Sequence, residues 1–232
     1  MNNRESGKLS FIKEVIGCLI SPRSMFRSIL DKPSLMKATG LILVIAIVAA
    51  WASFNYTGKF PLTYLAQQQE GWLFPRHGNL VNSEQLRQAL MIMSAMVGLI
   101  GVFGTWLISS ALIHGFSGPL GGKGAFKSML TLAGYASVPL FIQHVLRLVD
   151  SFMISQEGLL QIAASLQISA YPLLSSIANA AVGIFTIFRL WSMGLLIIAT
   201  RENYKISTTR ATVATVLAFI ILIFISAFLP FI

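Results

Sequence analysis

An all-α protein crossing a membrane five times is the fold class this sequence predicts, and three observations carry the expectation. Of the 232 residues, 55% are hydrophobic and only 11% are charged, with a mean hydropathy of +0.75. A soluble domain carries about 25% charged residues, so this supply cannot cover a water-facing surface. The charges also fall so as to leave five uncharged intervals of about membrane-spanning length. Finally, the basic residues concentrate on alternate sides of those intervals, as Lys and Arg do in cytoplasmic loops. The net charge of +9, from 17 Lys and Arg against 8 Asp and Glu, therefore reports orientation. It is not read as a nucleic-acid surface.

A helix needs about 20 mostly apolar residues to cross the hydrocarbon. The uncharged intervals are 38–58, 88–122, 128–146, 158–188 and 211–232. Trimmed of turn residues and extended where the pattern continues, they predict helices near 38–55, 89–113, 128–149, 172–199 and 211–230. Residues 38–232 are then a five-helix membrane domain, and 1–37 a cytoplasmic entry segment. Twelve basic residues lie on one side, in 1–37, at Lys123 and Lys127, and at Arg201, Lys205 and Arg210. Four lie on the other, Lys59, Arg76, Arg87 and Arg147, with Arg189 inside the fourth span. This asymmetry predicts a cell-membrane protein with a cytoplasmic amino terminus and an external carboxyl terminus. No cleavable secretory signal is expected, because the seven basic residues up to Lys37 enclose no long apolar core.

Within the entry segment, Phe11, Ile12, Val15, Ile16, Leu19 and Ile20 recur at helical spacing. Ser21-Pro22 reads as an N-cap followed by proline at the first helical position. Met25, Phe26, Ile29 and Leu30 then share a side, and Pro33 ends the segment. Two short amphipathic helices follow from this pattern. They either lie in the headgroup layer, with Lys8, Lys13, Arg23 and Arg27 facing anionic inner-leaflet lipids, or pack beneath the bundle as structural feet. Cys18 has no intramolecular disulfide partner; it is either an acylation site or a small residue on a packed face. On the outer side, residues 56–88 read as a long irregular loop and 158–168 as a short surface helix. The halves show no internal repeat, which weakens an inverted-repeat transporter.

Chemistry-bearing motifs are few. His77, His114 and His144 lie in separate segments without metal-ligand spacing, so no metal, cofactor or enzymatic activity is expected. Gly121-Gly122-Lys123-Gly124 holds a fragment of a phosphate loop but reads as a tight turn after a membrane helix. Gly98, Gly101 and Gly104 read as close-packing positions on the second span. The costly groups are those near the bilayer. Gln143-His144-x-x-Arg147-x-x-Asp150 places three titratable groups on adjoining turns, either as a solvated outer salt bridge or as part of a polar site. Asn179 and Arg189 lie on the fourth span. Arg189 either snorkels toward the cytoplasmic headgroups or lines a cytoplasm-facing polar cavity with His114 nearby.

Several stretches resemble the Yip1 family of five-span membrane proteins in its prokaryotic form. The resemblance begins at Ser21-Pro22-Arg23 with Phe26. It is sharpest from Gly121-Gly122-Lys123-Gly124-Ala125-Phe126-Lys127 into Gly134-Tyr135-Ala136-Ser137-Val138-Pro139. It returns at Trp191-Ser192, at Arg201-Glu202-Asn203-Tyr204-Lys205-Ile206-Ser207 and at Arg210-Ala211, covering roughly residues 12–230. Eukaryotic relatives organise vesicle membranes and bind prenylated GTPases through a cytosolic amino-terminal region. The D-L-Y-G-P motif typical of those members is absent here, and the region before the first span is only 37 residues. What the resemblance implies for this chain is a membrane bundle in which Gly134 allows close helix approach. Pro139 should kink the third span and free a carbonyl for a neighbour. The functional expectation is a non-enzymatic organiser or scaffold. Its partners would be the bilayer and its anionic inner-leaflet lipids, with a membrane-protein partner or a second copy. A transporter or channel subunit is the alternative.

Overall fold

The computed structural model describes residues 3–59, 83–158 and 187–228, with side chains over 11–59, 84–158 and 187–225, and every regular element among them is an α-helix. In chain order these are α1 (Asn3–Ile20), α2 (Pro22–Asp31), α3 (Leu35–Lys59) and α4 (Ser83–Ser117). They are followed by α5 (Phe126–Ala136), α6 (Val138–Met153), α7 (Ile187–Tyr204) and α8 (Thr208–Phe228). Among the described residues, four stretches are long and apolar enough to cross a membrane: Leu35–Lys59, Glu84–Ser117, Phe126–Met153 and Thr208–Ile225. The span expected at 172–199 falls partly outside the described residues. Its second half is α7, which runs on to Tyr204 and carries Arg189, Arg201 and Glu202. Most of the loop expected at 56–88 and of the surface helix at 158–168 also lies outside them. The part that is described corrects the loop's edges, because α3 continues through Lys59 and α4 begins at Ser83.

Local chemistry sets the breaks. Pro22 opens α2 at its first turn, but the Ser21 side chain makes no capping bond. Ser24 instead donates its hydroxyl to the Ser21 carbonyl at 3.0 Å. Lys32, just ahead of Pro33, leaves the helical region with φ −141° and ψ 71° and ends α2. The third span is interrupted at Ser137, where α5 stops and α6 begins with Pro139 in its first turn. A proline has no amide hydrogen to give the preceding turn, so the helix tightens there. The Ser137 amide bonds back to Gly134 at 3.3 Å, and its hydroxyl donates to Ala133 at 2.9 Å. The Ala136 carbonyl is taken up by the Ser192 hydroxyl of α7 at 2.8 Å.

The packing centre is α3, which touches α4, α5 and α6. Its buried face is rich in small residues, Ala38, Ala46, Ala49 and Ala52, which let backbones approach where no hydrophobic drive acts between helices in lipid. A Cβ on Gly98 of α4 would meet the Ala50 Cα at 3.2 Å, and one on Gly134 would meet the Ala38 Cβ at 2.8 Å. Polar ties set the register. The Ser94 hydroxyl of α4 donates to the Met91 carbonyl of its own helix at 2.8 Å with the Ser53 carbonyl of α3 only 3.3 Å away, and Asn55 donates to the Ser151 hydroxyl of α6 at 3.3 Å. The buried Trp106 indole of α4 donates to the Leu130 carbonyl of α5 at 3.0 Å. Outward faces are apolar rather than charged. Leu43, Val44, Ile47 and Trp51 are exposed on α3, and Val213, Leu217, Ile220 and Phe224 on α8, as a lipid-facing surface requires.

Candidate functional site: the amino-terminal end of the bundle

Glu202 is the hub of this end. It lies in the last turns of α7, its side chain 4% exposed, and it binds two arginines from α2. Arg23 Nε donates to Oε1 at 3.0 Å, and Arg27 Nε donates to Oε2 at 2.7 Å. The two arginines are one helical turn apart on α2, so a single carboxylate reaches both. Their own side chains stay 53% and 55% exposed. Burial pushes the Glu202 carboxyl up, but the hydrogen bonds and charges of Arg27 and Arg23 outweigh it and hold the group below the usual carboxylate range. The Arg27 guanidinium is raised in return, by its hydrogen bond to Glu202 and by that group's charge.

A second carboxylate ties down α1. Lys37 Nζ of α3 donates to Glu14 Oε1 at 2.7 Å, and the Tyr135 hydroxyl of α5 donates to Glu14 Oε2 at 2.6 Å. The Phe11 and Tyr135 rings stand 6.3 Å apart beside this junction. Cys18, fully buried next to it, has its thiol pushed up to about 12 by burial and by the Glu14 charge. It is a packed neutral group, not a thiolate.

The turn after α4 is seated on the end of α7. Gly121 has φ +87°, a conformation glycine adopts freely, and its amide and that of Gly122 return to Gly118 and Ser117 at 2.9 Å each. Gly124 packs so closely that a Cβ would meet the Asn203 carbonyl at 2.6 Å. Asn203 Nδ2 donates to the Ala125 carbonyl at 3.2 Å, and the Lys123 amide donates to the Tyr204 carbonyl at 3.3 Å. The Tyr204 hydroxyl and His114 Nδ1 share a hydrogen bond of 2.7 Å, with the Phe126 ring 5.4 Å from the imidazole and tilted 53° to it. Arg210 closes the rim by donating to the Leu120 carbonyl at 3.2 Å.

Arg23, Gly124, Tyr135, Glu202, Asn203 and Tyr204, far apart in the chain, thus converge on one end of the bundle. The Yip1 domain family model matches residues 16–229. The chain belongs to the Yip1 family. No curated protein and no solved structure matches it. As a Yip1-domain chain with several apolar helices, it is a multi-pass membrane protein.

The remaining expected positions of this Yip1 domain sort as follows. Lys13 is exposed on α1, and Lys8 lies on the same helix with its side chain outside the described set. Asn179 also lies outside the described residues. His114 is not beside Arg189. It is held by Tyr204, 15 positions or about 22 Å along α7 from Arg189. Arg189 does not reach toward the α2 end either. Its Nε, like His144 Nδ1, is buried and makes no hydrogen bond among the described residues. The salt bridge expected between Arg147 and Asp150 does not form among the described residues, because Tyr56 of α3 comes between them. Its hydroxyl donates to Asp150, and its ring lies 5.9 Å beneath the Arg147 guanidinium. Sequence reading gave no role to Glu14 and named Glu202, Asn203 and Tyr204 only within a stretch that resembles the family. Two signals mark the pair of carboxylates: only 8 acidic residues exist in the chain, and Glu202 stands among Arg201, Lys205 and Arg210.

Proposed function

We propose that this Yip1-family chain is a non-enzymatic, five-span membrane organiser with its amino terminus in the cytoplasm. It binds protein or lipid partners through the basic surface of α1 and α2. The observation that carries this reading is the geometry of Arg23 and Arg27. Each is anchored by its Nε to a buried carboxylate, yet about half of each side chain remains exposed. An anchored guanidinium keeps further donors free for an anionic group at little ordering cost. Lys13 and the exposed Ile12, Ile16 and Ile20 on α1 extend the surface with apolar contact area, the combination that suits an anionic membrane surface. A cleft of about 420 Å³ between α1, α3 and α6, bordered by Phe11, Lys37, Leu41 and Phe141, adds room for an apolar chain.

Photo-crosslinking from position 13 or 24 in native membranes tests the reading. A defined set of protein or lipid adducts, lost when Arg23 and Arg27 are replaced by Gln, is the expected result. No adduct under any condition would overturn it. A transporter or channel subunit is the second reading, favoured by buried nitrogens of His144 and Arg189 that lack partners. It requires flux through reconstituted protein that Arg189→Leu abolishes.

A further inference from the structure

The cleft between α1, α3 and α6 has a volume of about 420 Å³, and Lys37 is the one polar side chain among the residues that line it. Along α3 the lining runs from Lys37 past Gly40 and Leu41 to Val44, about 10 Å at the helical rise per residue. The charged end lies in the first turn of this span, where the Lys37 side chain is 35% exposed. At the other end Val44 is itself exposed, on the same side of α3 as Ile47 and Trp51. The cleft therefore starts at a cation and opens onto the lipid-facing surface. Gly40 is an independent sign of open space. A Cβ built on it meets nothing within 4 Å, whereas one on Gly98 or Gly134 would run into Ala50 or Ala38 of α3. Glycine weakens a helix relative to alanine, and at position 40 no close approach of a neighbouring helix requires it.

We propose that this cleft holds one acyl chain of an anionic phospholipid of the cytoplasmic leaflet, with the lipid's phosphate at Lys37. The lining selects hydrocarbon. An extended peptide would bring amides and carbonyls that need partners, and apart from Lys37 the lining side chains are apolar. The charge at the mouth selects the headgroup. An ammonium has three donors, and among the described residues Glu14 takes one of those on Lys37 at 2.7 Å. Lys13, exposed on α1 next to the lining residue Ile12, adds a second cation. Ile12, Ile16 and Ile20 form an exposed apolar stripe along α1, which seats that helix at the depth where headgroups meet acyl chains. The proposal rests on the reading above in taking α1 to lie at the cytoplasmic leaflet. It adds the class of lipid and the place where its chain goes.

The test uses full-length protein in phosphatidylcholine vesicles with increasing amounts of phosphatidylglycerol that carries a diazirine midway along one acyl chain. After irradiation, adducts are located by mass spectrometry of peptides. Adducts at residues 40–44 and 138–141 should saturate as the labelled lipid increases, whereas those at the exposed Leu217 and Ile220 of α8 rise in proportion to it. Phosphatidylcholine with the same labelled chain should not saturate over that range. Gly40→Leu, whose side chain fills the cleft, should lose the saturating component, and Lys37→Met should erase the difference between the two headgroups. If Gly40→Leu does not fold, Val44→Trp at the open end takes its place, with the same loss expected. Proportional labelling in the cleft, equal saturation by both lipids, or saturation kept in the cleft-filling variant overturns the proposal. So does the absence of adducts there, as a peptide or a second copy seated in the cleft would produce. Saturating cleft adducts without any crosslink from position 24 would tell against the basic surface of α2 alone, and the reverse against the cleft alone.

Discussion

The two ends of this bundle solve the same electrostatic problem in opposite ways. At the amino-terminal end, scarce carboxylates are buried and shared. Glu202 serves Arg23 and Arg27, and Glu14 serves Lys37 and the Tyr135 hydroxyl. At the other end, among the described residues, Lys59 and Arg87 rest on backbone carbonyls, the Arg189 Nε makes no hydrogen bond, and Asp150 accepts from the Tyr56 hydroxyl. The first end is therefore held by carboxylates shared among its own residues, whereas at the second Arg189 keeps a buried Nε without a hydrogen bond among the described residues. A buried charge with a partner resists removal of that partner, while a buried charge without one is a standing cost. Substitutions at the two ends should differ in sign as well as in size.

The largest loss is expected where the glycine turn meets α7. Gly124→Val places carbon atoms where the Asn203 carbonyl and the Tyr204 ring already stand at 2.6 and 2.7 Å. It should lower unfolding free energy by about 3 kcal/mol, the upper range of overpacking, measurable in a detergent melt. Next comes Glu202→Gln, which removes the charge between Arg23 and Arg27 and should cost about 1–3 kcal/mol. A loss below the error of the melt would mean that the two ends are alike. Tyr135→Phe follows at about 1.5 kcal/mol, because Glu14 then loses its hydroxyl donor and keeps only Lys37. In contrast, Arg189→Leu in anion-free detergent should leave stability unchanged or increase it. A marked loss there would show that the second end is closed by a partner after all.

Two further measurements sharpen the contrast. Since the folded-state pKa of Glu202 is depressed, its contribution is present above the unfolded carboxylate value of about 4.3 and is lost as pH falls toward the lower folded value. Wild type should lose more stability than Glu202→Gln across that acid window, and parallel curves would contradict the pairing. The smallest effect concerns Cys18. Its burial and raised thiol predict negligible maleimide labelling of the folded protein at neutral pH and full labelling after denaturation.

How far the sequence was legible follows from which forces act locally. The gaps between charges locate α3, α4 and α8 because the cost of a charge in hydrocarbon is paid residue by residue. Pro139 foretells the break at Ser137 because the missing amide hydrogen acts within one turn. The Ser192 bond to Ala136 has no such signature, as nothing in either stretch names its partner 56 positions away. The same holds for Glu202, whose arginines lie 179 and 175 residues before it. Periodicity shows that Arg23 and Arg27 share a face of α2 but not what that face meets. Arg147 and Asp150 show the converse failure. Their spacing predicts a pair, and Tyr56, from a helix almost a hundred residues earlier, separates them.

A double-mutant cycle on Glu202 and Arg27 tests the central claim most directly, namely that α2 is pinned to α7 by this carboxylate. Thermal stability would be measured for wild type, Glu202→Gln, Arg27→Gln and the double variant in the same detergent. The pairing predicts strong non-additivity, with the double variant no less stable than Glu202→Gln alone. Simple addition of the two single losses would contradict it.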